Sequence, residues 1–179
     1  MLAGLIHNLT GGLELALLRR RWPPRFVVSF DQVAALLAIN LAVWSLLDFL
    51  HAPPHAPLAL DGLFGWACYL LLGLAACALI ARAQSRAADT RALLVPVLAV
   101  APFVVVVFSL ASDLPFITRF PVLLTLLALA YLVCLAVRVL GAAYGPVHWR
   151  PALTAILLVI AAPSIVGLLD LDTRLWVPE

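Results

Sequence analysis

Residues 92–111 read ALLVPVLAVAPFVVVVFSLA, twenty positions without a charged side chain. As a helix this stretch rises about 30 Å, the thickness of a bilayer's hydrocarbon core. The pattern recurs on both sides. Apolar runs of similar length cover residues 32–50 and 60–81 before it, and 120–140 and 152–169 after it. They are too long and too rich in Leu and Ala for the weak alternation of a membrane barrel strand. Helices are the remaining way to satisfy every backbone group in hydrocarbon. The reading is therefore all-α: a polytopic membrane protein with a bundle of five transmembrane helices over residues 31–170. A basic entry segment covers residues 1–30 and a short outer tail residues 171–179.

Composition agrees. Of 179 residues, 65% are hydrophobic and 11% charged, whereas a soluble domain carries about a quarter charged residues. Mean hydropathy is +1.14. A net charge of +2 is too small to suggest a nucleic-acid partner. The partner this surface demands is the lipid bilayer, with another membrane protein or a homo-oligomer as further candidates. All eleven basic residues are arginine. With abundant Ala, Leu and Val, this points to a GC-rich bacterial genome, and so to the bacterial inner (plasma) membrane.

The breaks between runs have turn chemistry. Residues 51–57, HAPPHAP, cannot continue a helix, because proline lacks the donor and clashes with the preceding turn. Residues 82–91, 112–115 and 141–151 form the other connections. The arginines then set the orientation. Nine of them (Arg19, Arg20, Arg21, Arg25, Arg82, Arg86, Arg91, Arg138 and Arg150) fall on one side of five alternating crossings, and Arg119 and Arg174 on the other. The positive-inside rule places the N-terminus in the cytoplasm and the C-terminus outside.

The first residues differ from the runs. Leu2, Leu5, Ile6, Leu9, Leu13, Ala16 and Leu17 recur at three- and four-residue spacing, with His7, Asn8, Thr10 and Glu14 off the stripe. This predicts an amphipathic interfacial helix on the cytoplasmic face. A sixth crossing is the alternative, and Gly11-Gly12 and Glu14 oppose it. A signal peptide would carry its basic residues before the apolar region, not after it.

Polar residues within the runs are where chemistry would sit. Asn40 falls in mid-span and is expected to hydrogen-bond another helix. Asp48, His51, His55 and Asp61 crowd one outer connection; these are metal-ligand types, but Pro53-Pro54 separates the histidines and the plain reading is a polar loop. Pro96, Pro102 and Pro163 lie within spans, as kinks that line a pathway do, and as ordinary membrane helices also allow. Arg138 should snorkel to the cytoplasmic interface. Trp22, Trp149 and Trp176 sit where aromatic rings anchor spans, while Trp44 and Trp66 pack in the bundle. Gly65, Gly73, Ala76 and Cys77 give one span a small face for close contact. Cys68, Cys77 and Cys134 read as small hydrophobes.

Nucleophile-elbow, zincin, phosphate-loop and Cys-x-x-Cys patterns are missing. No catalytic, cofactor-binding or metal residue is assigned, no cofactor is expected, and the chain is read as not an enzyme. The leading function is a non-enzymatic scaffold or interaction module. The alternatives are a membrane anchor for an extracytoplasmic peptidase domain absent from this chain, and a small-molecule permease.

Two resemblances accompany this reading. The amphipathic entry, the five runs and the RALLVPVLAVAPF stretch at 91–103 resemble the YIP family of five-helix membrane proteins, whose eukaryotic members interact with Rab GTPases. The stretches at 26–50, 63–94 and 170–179 (DLDTRLWVPE) are similar to the N-terminal membrane region of some bacterial legumain-like cysteine peptidases. Those enzymes need a His-Gly dipeptide and a soluble cysteine. This chain has no His-Gly, and its cysteines all lie in apolar runs, so that resemblance implies an anchor without peptidase activity.

Overall fold

The computed structural model describes residues 1–19, 25–83, 90–112, 121–145, 149–168 and 174–176. Six helices form among them: α1 (Leu2–Ala16), α2 (Phe30–His51), α3 (Leu60–Ala83), α4 (Thr90–Ser112), α5 (Pro121–Tyr144) and α6 (Trp149–Leu168). Each of the five apolar runs becomes one of α2 to α6. Among the described residues four helices, α2 to α5, are long and apolar enough to cross a membrane. The count among the described residues is thus four, where five were expected.

Local chemistry sets the ends of α2. The Ser29 side chain accepts from the Gln32 N–H at 3.2 Å, and Asp31 complements the helix dipole in the first turn. At the other end the chain turns extended at Ala52, ahead of Pro53-Pro54.

We call the end of the bundle where α2 closes and α3 opens distal; Asp48 of α2 and Ala59 ahead of α3 both bond Leu175 there. The centre of the bundle is α4, against which α1, α2, α3 and α5 all pack. Its Val95 and Ala99 are fully buried and Leu93 nearly so. The outward faces are apolar instead: Phe64 is 70% exposed and Leu71 65%. In water each such side chain would forfeit roughly 25 cal/mol per Å² of apolar surface; in hydrocarbon that cost vanishes.

The first helix departs from its expected arrangement. Its buried residues are Asn8, Gly11, Gly12, Leu15 and Ala16, while Leu2, Ile6, Leu13 and Leu17 of the apolar stripe point outward. The polar and small face turns inward because α1 crosses α4 closely. A Cβ on Gly12 would collide with the Ala99 carbonyl oxygen and lie 3.1 Å from the Ala99 Cβ.

Candidate functional site: polar side chains inside the bundle

An unpaired polar group costs several kcal/mol in hydrocarbon, so each buried polar side chain identifies a constraint. Asn8 on α1 is fully buried. Its Nδ2 donates to the Val27 carbonyl at 3.0 Å and to Gln32 Oε1 at 3.1 Å, and its Oδ1 accepts the Val27 N–H at 2.8 Å. The amide pairs with both main-chain groups of Val27, as a neighbouring strand would. Extended chain can therefore lead into α2 without orphaned peptide groups there. Gln32 passes the connection on, its Nε2 donating to the Met1 carbonyl at 3.0 Å. Ser29 and Gln32 have capping-box spacing, but the Gln32 side chain serves α1 instead of its own helix end.

The C-terminus of α1 is closed with similar completeness. Leu18 adopts a left-handed φ of 50°. The Leu18 N–H donates to Leu15 and the Arg19 N–H to Glu14, the paired bonds of a Schellman motif. Tyr131 of α5 donates its hydroxyl to the Ala16 carbonyl at 2.8 Å, and Arg138 Nη2 donates to the Arg19 carbonyl. Arg138, expected to snorkel to the cytoplasmic interface, thus reaches a carbonyl just past the end of α1.

Asn40 faces another helix, as its mid-span position implies. Its Nδ2 donates at 2.8 Å to Leu36 of its own helix and at 2.8 Å to the Leu98 carbonyl of α4. The second bond has a specific cause. Leu98 lies four residues before Pro102, so its carbonyl lacks the N–H that would ordinarily close that turn. Asn40 replaces the donor that proline removed.

At the distal end, Asp48 Oδ2 accepts the N–H groups of Leu175 and of Trp176, the latter at 3.0 Å. The Ala59 N–H donates to the Leu175 carbonyl at 2.7 Å, and Leu58 pairs with Trp176 in an antiparallel bridge. The Phe49 ring meets Trp176 edge-on at 5.3 Å. A Cβ on Gly62 would strike the Arg174 carbonyl, so glycine is what lets this segment lie flat. Residues 174–176 form a strap across the start of α3. Beside it is a cavity of about 220 Å³. One face of α2 supplies Trp44, Leu47, Asp48 and His51; Val105 and Ser109 of α4 and Arg174 of the strap complete the lining.

The other sequence candidates disperse. His51 Nδ1 lies 2.6 Å from the Leu47 carbonyl, and His55 occupies a turn at φ 68°. Among the described residues no group of three His, Cys, Asp or Glu is placed to hold a metal ion. Gly65 and Cys77 are buried, but Gly73 faces open space. Cys134 is exposed, unlike Cys77. Trp44 lies 6.1 Å from the Tyr69 ring, and Trp149 is exposed. Trp22 and the side chain of Pro163 lie outside the described residues. Sequence reading missed Asn8, Gln32 and Tyr131; the available signal was Asn8 sharing a helix face with Gly11 and Gly12.

Comparisons of the chain with family models, with curated proteins and with solved structures give no match.

Proposed function

We propose that this chain is a five-span protein of the bacterial inner membrane that acts as a non-enzymatic scaffold or interaction module, YIP-like in layout. Its N-terminus is cytoplasmic and its C-terminus outside. The observation that carries the scaffold reading is where the polar side chains are spent. Asn8, Asn40, Tyr131, Arg138 and Asp48 all bond main-chain groups at helix crossings and chain ends. Such bonds fix a shape; they do not converge on a reacting centre. The arginine asymmetry supports the orientation, and the outward apolar faces support the lipid setting.

Permeation is the second reading, favoured by Pro96 and Pro102 in the central helix and by the distal cavity. Two measurements separate them. A photoreactive amino acid at Phe64, on the exposed face of α3, is expected to give a discrete cross-linked protein band in native membranes. Proteoliposomes are expected to show the flux of empty vesicles for a panel of ions and small metabolites. Flux above that background, with no cross-linked band, would replace the scaffold with a permease.

A further inference from the structure

The end of α1 brings two like charges together. Leu18 stands at a left-handed φ of 50°, a conformation that leucine rarely adopts. The turn it makes carries the chain past α5, where Arg138 Nη2 donates to the Arg19 carbonyl. That bond leaves Arg138 with further guanidinium donors. Arg19 is exposed, and only its main chain is engaged. Among the described residues neither guanidinium meets a carboxylate. Glu14, the acid nearest to Arg19 in the sequence, offers the Arg19 N–H its carbonyl and not its carboxylate. Arg20 and Arg21 extend the positive charge along the chain.

Depth makes the pair costly. In the orientation proposed above, α5 ends at the cytoplasmic face with Tyr144. At 1.5 Å per residue, Arg138 lies about 9 Å inside that end, and Tyr131, which holds the Ala16 carbonyl, about 20 Å inside. The end of α1 therefore dips below the headgroup level. Arginines left without a counter-ion there are expensive, and one shared anion neutralises both. The guanidinium fork matches two oxygens of a phosphate. The neighbouring side chains decide which phosphate. Tyr131, Cys134 and Arg138 share one face of α5; the outer two bond the end of α1, while Cys134 between them is exposed. Leu17, next to the turn, is exposed as well. These apolar groups suit an acyl chain and offer nothing to a free ion. We propose that Arg19 and Arg138 bind the phosphodiester of an anionic phospholipid of the cytoplasmic leaflet, with an acyl chain passing Leu17 and Cys134. This rests on the membrane placement and orientation proposed above.

The test is native mass spectrometry and thermal unfolding of the detergent-purified chain with three probes: phosphatidylglycerol, phosphatidylcholine and inorganic phosphate. Phosphatidylglycerol is expected to bind about fivefold tighter than phosphatidylcholine and to raise the unfolding temperature. Inorganic phosphate is expected to leave that temperature unchanged. Arg19→Gln removes a charge whose side chain makes no bond, so the unliganded protein should unfold as the parent does. Arg138→Gln keeps an amide donor for the Arg19 carbonyl. Each is expected to weaken phosphatidylglycerol about fivefold, the worth of one arginine against an anionic lipid surface. Arg82→Gln is the control: it lies on α3, which packs against α4 and α6, and should bind as the parent does. Equal binding of phosphatidylcholine, stabilisation by inorganic phosphate to match the lipid, unchanged binding by Arg19→Gln or Arg138→Gln, or an equal loss in Arg82→Gln overturns the proposal. A chain recovered in the soluble fraction without detergent defeats the membrane placement itself. A chain that needs detergent yet ignores phosphatidylglycerol defeats the lipid site alone.

Discussion

Gly12 shows how one hydrogen atom in place of a methyl group sets a helix crossing. The Ala99 carbonyl occupies the space that a Gly12 Cβ would need. Alanine there gains up to ~1 kcal/mol in helix propensity, but overpacking against a main-chain atom costs about 1–3 kcal/mol. The backbone cannot give way as a flexible side chain could, so the clash wins. Gly12→Ala is expected to destabilise by about 1–2 kcal/mol, read as the midpoint of a denaturant titration in mixed micelles. Gly73→Ala is the control: nothing lies within 4 Å of its would-be Cβ, so it should be neutral or slightly stabilising. Equal losses at both positions would mean that the α1–α4 contact is not tight.

At the scale of the element, α4 is a helix whose sequence removes a donor that a different helix supplies. Pro102 leaves the Leu98 carbonyl short of its N–H, and Asn40 fills the vacancy. Asn40→Leu is expected to cost about 1–2 kcal/mol, more than the ~0.6 kcal/mol average for interhelical hydrogen bonds in membranes, because the acceptor then has no helical donor. Asn40→Asp should cost more, since a charge at mid-membrane carries at least ~2.5 kcal/mol on insertion scales. The diagnostic experiment is a double-mutant cycle. Pro102→Ala restores the N–H to α4, so Asn40→Leu should become nearly neutral in that background, with a coupling of about 1 kcal/mol. A coupling of zero would show that the two residues act independently. The position of Asn40 within a span was legible in the sequence. Its partner was not, because nothing in α2 says which carbonyl of which helix lies opposite.

For the whole molecule, the orientation is open to direct measurement. A single cysteine at Leu2, in a background where Cys68, Cys77 and Cys134 are replaced by serine or alanine, should be labelled by an impermeant maleimide only after the membrane is opened. A cysteine at Trp176 should be labelled in intact cells. Labelling of both from the same side would remove the odd number of crossings. The 179-residue sequence alone determined that the chain is all-α and where its long helices lie. Twenty-residue apolar runs bounded by prolines and arginines leave the backbone one way to satisfy itself in hydrocarbon. It could not determine which face of α1 turns inward. The stripe of Leu2, Leu5, Ile6, Leu9, Leu13, Ala16 and Leu17 predicted a helix lying on the membrane surface, yet Leu2, Ile6, Leu13 and Leu17 are exposed and the buried face holds Asn8, Gly11 and Gly12 with Leu15 and Ala16. In a lipid-like setting apolar side chains gain little by turning inward, whereas polar groups and close backbone contacts must find partners. Those partners, Val27, Gln32, Ala99, Tyr131 and Arg138, come from segments distant in sequence. Only the tertiary structure brings them to α1, just as it alone brings Arg174 to the cavity that Asp48 borders.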